Sequence, residues 1–252
     1  MAEKDYVRTS NLLSLLKQTH LGGIINECVL TVNKGKGLIE AIDITNTVVF
    51  IAKGNIGSRR FKGEYGLGNL DMIIKFLSTM QDSKLNVKTT ENRLVLARKD
   101  ARRRLDYLLS QPQLIATRLR MDDNDEDIKA KFLDAIEHTA ELDERFVKDF
   151  GSYMATLKTK IVTIRVDGDD VWFDLGPKSE HQFKLSLELE EPSDDVFQLK
   201  VNGEYLARIF SAIEFDDEEP TTINFGDEDA PIVITSVLGM WAVSPSEELE
   251  EE

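Results

Sequence analysis

Gly68-Asn69-Leu70-Asp71-Met72-Ile73-Ile74-Lys75-Phe76-Leu77, followed after a polar interval by Glu91-Asn92-Arg93-Leu94-Val95-Leu96-Ala97, is the stretch on which the fold turns. Leu70, Ile73, Ile74 and Leu77 recur at the helical period, so one face of a helix over residues 69–81 is apolar. The period then changes. Residues 85–88, 93–98, 102–108 and 114–119 read as strands, so this is a helix followed by a run of antiparallel strands. The same unit precedes it. Residues 9–19 place Leu12, Leu13, Leu15 and Leu16 on a helix that Gly22-Gly23 stops. Strands follow over 27–33, 37–42 and 47–53, with tight turns at Lys34-Gly35 and around 43–46.

The second half repeats this order, and duplication constrains architecture more than any one element does. A strand is expected over 132–142. A helix over 143–158 follows, capped by Asp143 and striped by Phe146, Phe150, Met154 and Leu157. Residues 161–166 and 171–175 form a hairpin across Asp167-Gly168-Asp169-Asp170, and strands continue over 183–189 and 196–201. A fourth helix over 203–213 turns Leu206, Ile209, Phe210 and Ile213 inward, and strands over 222–225, 232–237 and 240–243 close the pattern. The fold class is α+β, with two tandem domains, each a duplicated helix-plus-antiparallel-strands unit. The expected boundaries are residues 1–119, an acidic connector over 120–131, a second domain over 132–245 and an acidic tail over 246–252.

Charge divides along the same line. Residues 1–120 hold 20 Lys+Arg against 11 Asp+Glu, and residues 121–252 hold 11 against 35, within a chain of net charge −15. Such a chain cannot lie flat on a polyanion, so contact with nucleic acid needs a segregated basic surface. At 252 residues and 41% apolar, the chain can bury two cores. The N-terminal residues do not read as a signal peptide and no apolar run reaches the ~20 residues of a membrane span, so a cytoplasmic protein is expected, in the host cytoplasm if viral. The lone Cys28 excludes a disulfide framework and a cysteine metal site.

Several short motifs do not carry chemistry. Gly168-Asp169-Asp170 sits on a hairpin turn. Asp123, Asp125 and Asp127 open like a calcium loop, but Ile128 and Asp134 stand where Gly and Glu are needed. Gly63, Gly66 and Gly68 are in the wrong order for a dinucleotide fingerprint and read as loop glycines. His20, His138 and His181 are scattered, and no acid, base and nucleophile stand together. The expectation is a binding protein without catalytic residues, metal or cofactor.

The two segments quoted first, together with Pro231-Ile232-Val233-Ile234 and Ala242-Val243-Ser244-Pro245, resemble the DNA polymerase sliding clamp family, whose members include proliferating cell nuclear antigen. The first pair is similar to the clamps of T-even type tailed phages. The resemblance covers nearly the whole chain and rests on order of elements and local similarity, since no short motif defines the family. The basic run of Arg98, Lys99, Arg102, Arg103 and Arg104 has no match in it.

The resemblance implies a homotrimeric ring of six domains around duplex DNA, with a DNA polymerase and a clamp loader as partners. Helices would face the hole and sheets the outside. Neighbouring subunits would pair edge strands, with Leu114, Ile115 and Thr117 meeting Lys184, Ser186 and Glu188. Partner peptides would dock at Leu119, Met121, the 42–46 loop with Ile42, Ile44 and Asn46, and the C-terminal strand with Trp241, Val243 and Pro245. Trp241 and Val243 alternate as core residues also do. The helix residues can be read independently of the family. No carboxylate occurs from residue 6 to 26, where Arg8, Lys17 and His20 stand, and Lys75, Lys148 and Arg208 give each other helix a base. Asp71, Glu144 and Glu204 lie four residues before these three, so an ordinary solvated face is an equal reading for each alone. Arg145 and Lys158 are further DNA-facing candidates. The alternatives are a monomeric DNA-binding processivity factor of the same fold and a β-rich phage structural or assembly protein.

Overall fold

The computed structural model describes residues 6–80, 83–98, 102–117, 132, 134, 136–176, 181–227 and 229–246. The chain divides into two units, Met1–Arg120 and Met121–Glu252. The first contains β1 (Val7–Arg8), α1 (Thr9–His20), β2 (Cys28–Asn33), β3 (Lys36–Ile42), β4 (Val48–Asn55), β5 (Gly63–Leu67), α2 (Leu70–Ser78), β6 (Lys84–Thr89), β7 (Arg93–Arg98) and β8 (Arg104–Leu108). Every pairing is antiparallel, in the orders β5-β2-β3-β4 and β1-β6-β7-β8. Asn33 pairs with Lys36 across Lys34 and Gly35, both at positive φ, which matches the turn to the twist of its strands. Leu12, Leu13, Leu15 and Leu16 are buried along α1, which packs on α2, β3 and β4. The Asn69 side chain caps α2 by accepting the Met72 N–H at 2.9 Å. Its own N–H donates to the Tyr107 hydroxyl at 2.7 Å. Burial pushes that hydroxyl up to about 12, and the Asn69 N–H partly opposes the shift.

Two expectations for this unit are corrected. Gly63 and Gly66 are strand residues of β5, opposite Val32 and Val29, rather than loop glycines. A Cβ on Gly66 would lie 2.4 Å from the Ser110 carbonyl oxygen, so glycine there admits a second backbone, whose Ser110 N–H donates to Gly66 at 2.9 Å. The strand expected over 114–119 is absent from its described part. Pro112–Leu114 is a single 3₁₀ turn, started by a proline that fixes φ and lacks an N–H. Beyond it Ile115 and Thr117 are buried. The Glu27 carboxylate accepts the Ala116 and Thr117 N–H groups at 2.6 and 3.3 Å, and the Ile42 N–H donates to the Thr117 carbonyl at 3.0 Å.

The second unit contains β9 (His138–Glu141), α3 (Glu144–Leu157), β10 (Ile161–Leu175), β11 (Phe183–Asn202), α4 (Gly203–Ala212), β12 (Thr222–Phe225), β13 (Ile232–Thr235) and β14 (Gly239–Val243). β10 cannot be one straight strand. Its 15 residues extended would span about 50 Å, whereas the Gly176 N–H reaches the Ile161 carbonyl at 3.4 Å. It is therefore a hairpin with its tip at Gly168, whose φ is 66°, as the Asp167-Gly168-Asp169-Asp170 turn predicts. One arm of β11, residues 183–188, pairs with 170–175, and the other, residues 197–202, pairs with 161–166. The order 197–202, 161–166, 170–175, 183–188 repeats β5-β2-β3-β4, and β9-β12-β13-β14 repeats β1-β6-β7-β8. The duplication read from the sequence is present in the pairing. The strand expected over 132–142 is confined to His138–Glu141, with Phe132 and Asp134 helical.

Asp143 caps α3 through the Phe146 N–H at 2.6 Å. Below it Phe146, Phe150, Phe173 and Phe210 form an aromatic core with centroids 4.9–6.4 Å apart. Among the described residues no helix is long and apolar enough to cross a membrane.

Candidate nucleic-acid and partner interfaces

Each unit presents one helix pair, α1 with α2 and α3 with α4. Their apolar stripes face the sheets, which leaves the bases outward. Arg8, the N-cap of α1, and Lys17, on α1, are exposed and make no ion pair among the described residues. Lys17 sits in the last turn, where a cation complements the helix dipole. His20 departs from the expected outward position. Its side chain is only 13% exposed and leans on α2, with Nε2 3.7 Å from Asp71.

Lys75 shares that carboxylate at 3.7 Å but is 78% exposed. Arg145, 89% exposed, lies 3.9 Å from Asp149, and Arg208 lies 3.5 Å from Glu204. Exposed pairs of this spacing are worth ~0.2–0.5 kcal/mol, so each cation exchanges partners readily. Lys148 and Lys158 are exposed and form no ion pair among the described residues. Lys158 is the left-handed C-cap of α3, its N–H donating to Met154 at 3.0 Å.

The partner-site residues separate into three groups. Leu119 and Met121 lie outside the described residues. Trp241 and Val243 are fully buried in β14 and belong to the core, so neither side chain is available at the surface. Ile44 is 79% exposed between half-buried Ile42 and Asn46 at φ 58°. Asp43, which the sequence places at the start of this turn, builds that loop. Its buried carboxylate accepts the Thr47 and Val48 N–H groups at 2.6 and 2.7 Å, and so fixes the turn that displays Ile44. Pro245 lines an open groove of the second unit, about 830 Å³ in volume, with Phe132, Leu199, Lys200, Asp229 and Pro231. Phe132, Leu199 and Pro231 had no local signal, because they come from three distant segments.

Lys184, Ser186 and Glu188 are exposed on the 183–188 arm, which pairs on one side only apart from Leu189 with Ala140. In the first unit β8 is one of the end strands, with exposed Arg104, Asp106 and Leu108. Leu114 is exposed, but Ile115 and Thr117 are held inside the unit and cannot form an edge. Cys28 is buried, and burial with the neighbouring Glu27 charge pushes its thiol up, away from nucleophilic use. Glu137, His138 and Asp195 place one ligand atom each within 4.8 Å of one another, a grouping common on acid-rich surfaces.

A scan against family models and a search of curated proteins each found no match. Solved structures do match. PCNA from A. fulgidus, solved with the C-terminal region of FEN-1 bound, aligns at TM-score 0.72 and 15% identity over 98% of this chain and 99% of its own. A putative DNA polymerase III beta subunit from Eubacterium rectale aligns at 0.71 and 11% over 97% of this chain and 66% of that one. Proliferating cellular nuclear antigen from Entamoeba histolytica aligns at 0.71 and 10% over 96% and 97%. Duplicated units, antiparallel pairing and alignment along the whole length agree: the chain has the sliding-clamp fold.

Proposed function

We propose that this chain is a subunit of a DNA sliding clamp, a non-enzymatic processivity factor that closes as a homotrimer around duplex DNA and tethers a polymerase. The observation that carries the reading is the repeated unit whose outward helix residues include bases that make no ion pair among the described residues, on a chain of net charge −15. Lys17, Lys75, Arg145, Lys148, Lys158 and Arg208 soften the field around enclosed DNA. The clamp loader opens the ring, and partner peptides seat an apolar anchor on the Pro245 groove of the second unit.

Subunits meet head to tail through β8 and the 183–188 arm. Two free edges of this kind are an aggregation hazard unless paired. Charge favours the pairing, because β8 belongs to the basic unit and the arm to the acidic one. In the antiparallel register that sets Arg104 toward Glu188, Leu105 and Leu185 share one face. Replacing Arg104 by Glu places like charges across the edge and should weaken assembly about tenfold or more. The double variant R104E/E188R should restore the trimer in sedimentation. Equal assembly by all three proteins would remove this edge from the interface.

A further inference from the structure

Arg98, Arg102, Arg103 and Arg104 of the basic run belong to a larger surface at one end of the first unit. Arg8 pairs with Lys84, Leu85 with Arg98, and Ala97 with Arg104, so bases stand at the same end of all four strands of the β1-β6-β7-β8 sheet. Neighbouring strands lie ~4.8 Å apart, which spreads the row over about 14 Å. The row continues past β1. The Arg8 N–H donates to the Ile56 carbonyl at 2.9 Å, and the Ile56 and Gly57 N–H groups donate to Gly35 at 2.9 and 3.1 Å. These bonds bring in Lys34 and Lys36, which flank Gly35, and exposed Arg59 and Arg60 beyond Gly57.

The opposite limit of the row is also fixed. Arg103 donates to the Thr79 carbonyl at 2.6 Å, at the C-terminal end of α2. Lys84 lies 4.8 Å over the Tyr6 ring and is exposed. Among the described residues Arg8, Lys34, Lys36 and Lys84 make no ion pair, and the carboxylate of Asp106 is held by Arg104 at 2.8 Å. Helix packing does not account for this row, since most of its bases are on turns and strand ends. A line of cations at this spacing, on a chain that otherwise repels polyanions, matches a phosphodiester backbone, with about one charge every 3.4 Å along each strand.

We infer that this end of the first unit is a second nucleic-acid contact, which grips phosphates directly from outside any enclosure. It operates whether or not the chain forms a ring, and in a clamp it would hold DNA before closure or where it leaves the hole. Binding here is salt-sensitive and independent of sequence.

The test uses the full chain and a fluorescent duplex of about 20 base pairs, blocked at both ends by streptavidin before protein is added, so that no ring can thread it. Three exposed lysines are replaced together, Lys34→Gln, Lys36→Gln and Lys84→Gln. The wild type should bind, and the triple variant should lose about tenfold in affinity, with the salt slope reduced by about two to three. The triple variant should still be retained on threaded, end-capped DNA through a salt wash, so failure of this contact is distinguishable from failure of enclosure. Unchanged melting and unchanged solution mass of the triple variant are required. A loss of mass would reassign the row to contacts between copies of the chain. Absence of wild-type binding, equal binding by the triple variant, or tighter binding of a poly-glutamate peptide than of the duplex would each overturn the inference.

Discussion

DNA carrying this protein should release it when one end is opened, and should retain it through a salt wash while both ends are blocked. The protein is threaded onto linear duplex, the ends are capped with streptavidin, and the complex is washed at rising salt before a restriction cut. Magnitude separates the mechanisms. A protein held by about 6–10 phosphate contacts loses roughly 10³–10⁵ in affinity between about 50 and 200 mM salt, whereas a ring is held by topology. A trimer of chains of charge −15 would repel DNA from most of its surface, so persistence at salt would not come from ion pairs. Bound fluorescence should stay nearly constant through the wash and fall to background within minutes of the cut. Loss during the wash with no response to cutting would argue against enclosure. The basic end of the first unit adds a salt-labile fraction that disappears early in the same wash.

Replacing Phe150 by Ala should be among the most damaging single changes to the second unit. Phe150 is fully buried on α3, with ring centroids 4.9 Å from Phe210, 6.3 Å from Phe146 and 6.4 Å from Phe173. Removing it leaves a cavity between two helices and the β10 hairpin, at a cost of about 3–5 kcal/mol. That is a large share of the ~5–15 kcal/mol that holds a domain. Melting should fall by roughly 10–20 °C, read by calorimetry. Tyr153, stacked on Phe183 at 4.1 Å but only half-buried, should lose much less as Ala. A Phe150→Ala protein melting within about 3 °C of wild type would mean that these rings do not form the core described.

The helices were legible because their signals are local. Asn69 and Asp143 accept N–H groups three residues ahead, and the stripes of Leu70, Ile73, Leu77 and of Phe146, Phe150, Met154 are buried. Repetition made the topology legible as well, since the same order of elements appears in both halves. Features set by distant backbone were not legible. Gly66 looks like a loop residue until Ser110 is seen against it. Residues 115–117 alternate like a strand, but Glu27, some 90 residues away, takes their N–H groups. His20 continues the basic face of α1 in sequence, yet Asp71 draws it inward. The Pro245 groove combines Phe132, Leu199 and Pro231, which no spacing connects. The basic end of the first unit is half visible, because the 98–104 run stands out and its continuation through Lys84, Arg8 and Lys34 exists only in the pairing.

Enclosure requires closure by more than one chain, so the mass of the native particle is the most direct test. Sedimentation equilibrium at micromolar concentration should give a single species of three 28.5 kDa chains, about 86 kDa. A 28.5 kDa particle across the accessible concentration range, with DNA binding intact, would contradict the ring and leave the basic end of the first unit as the means of holding DNA.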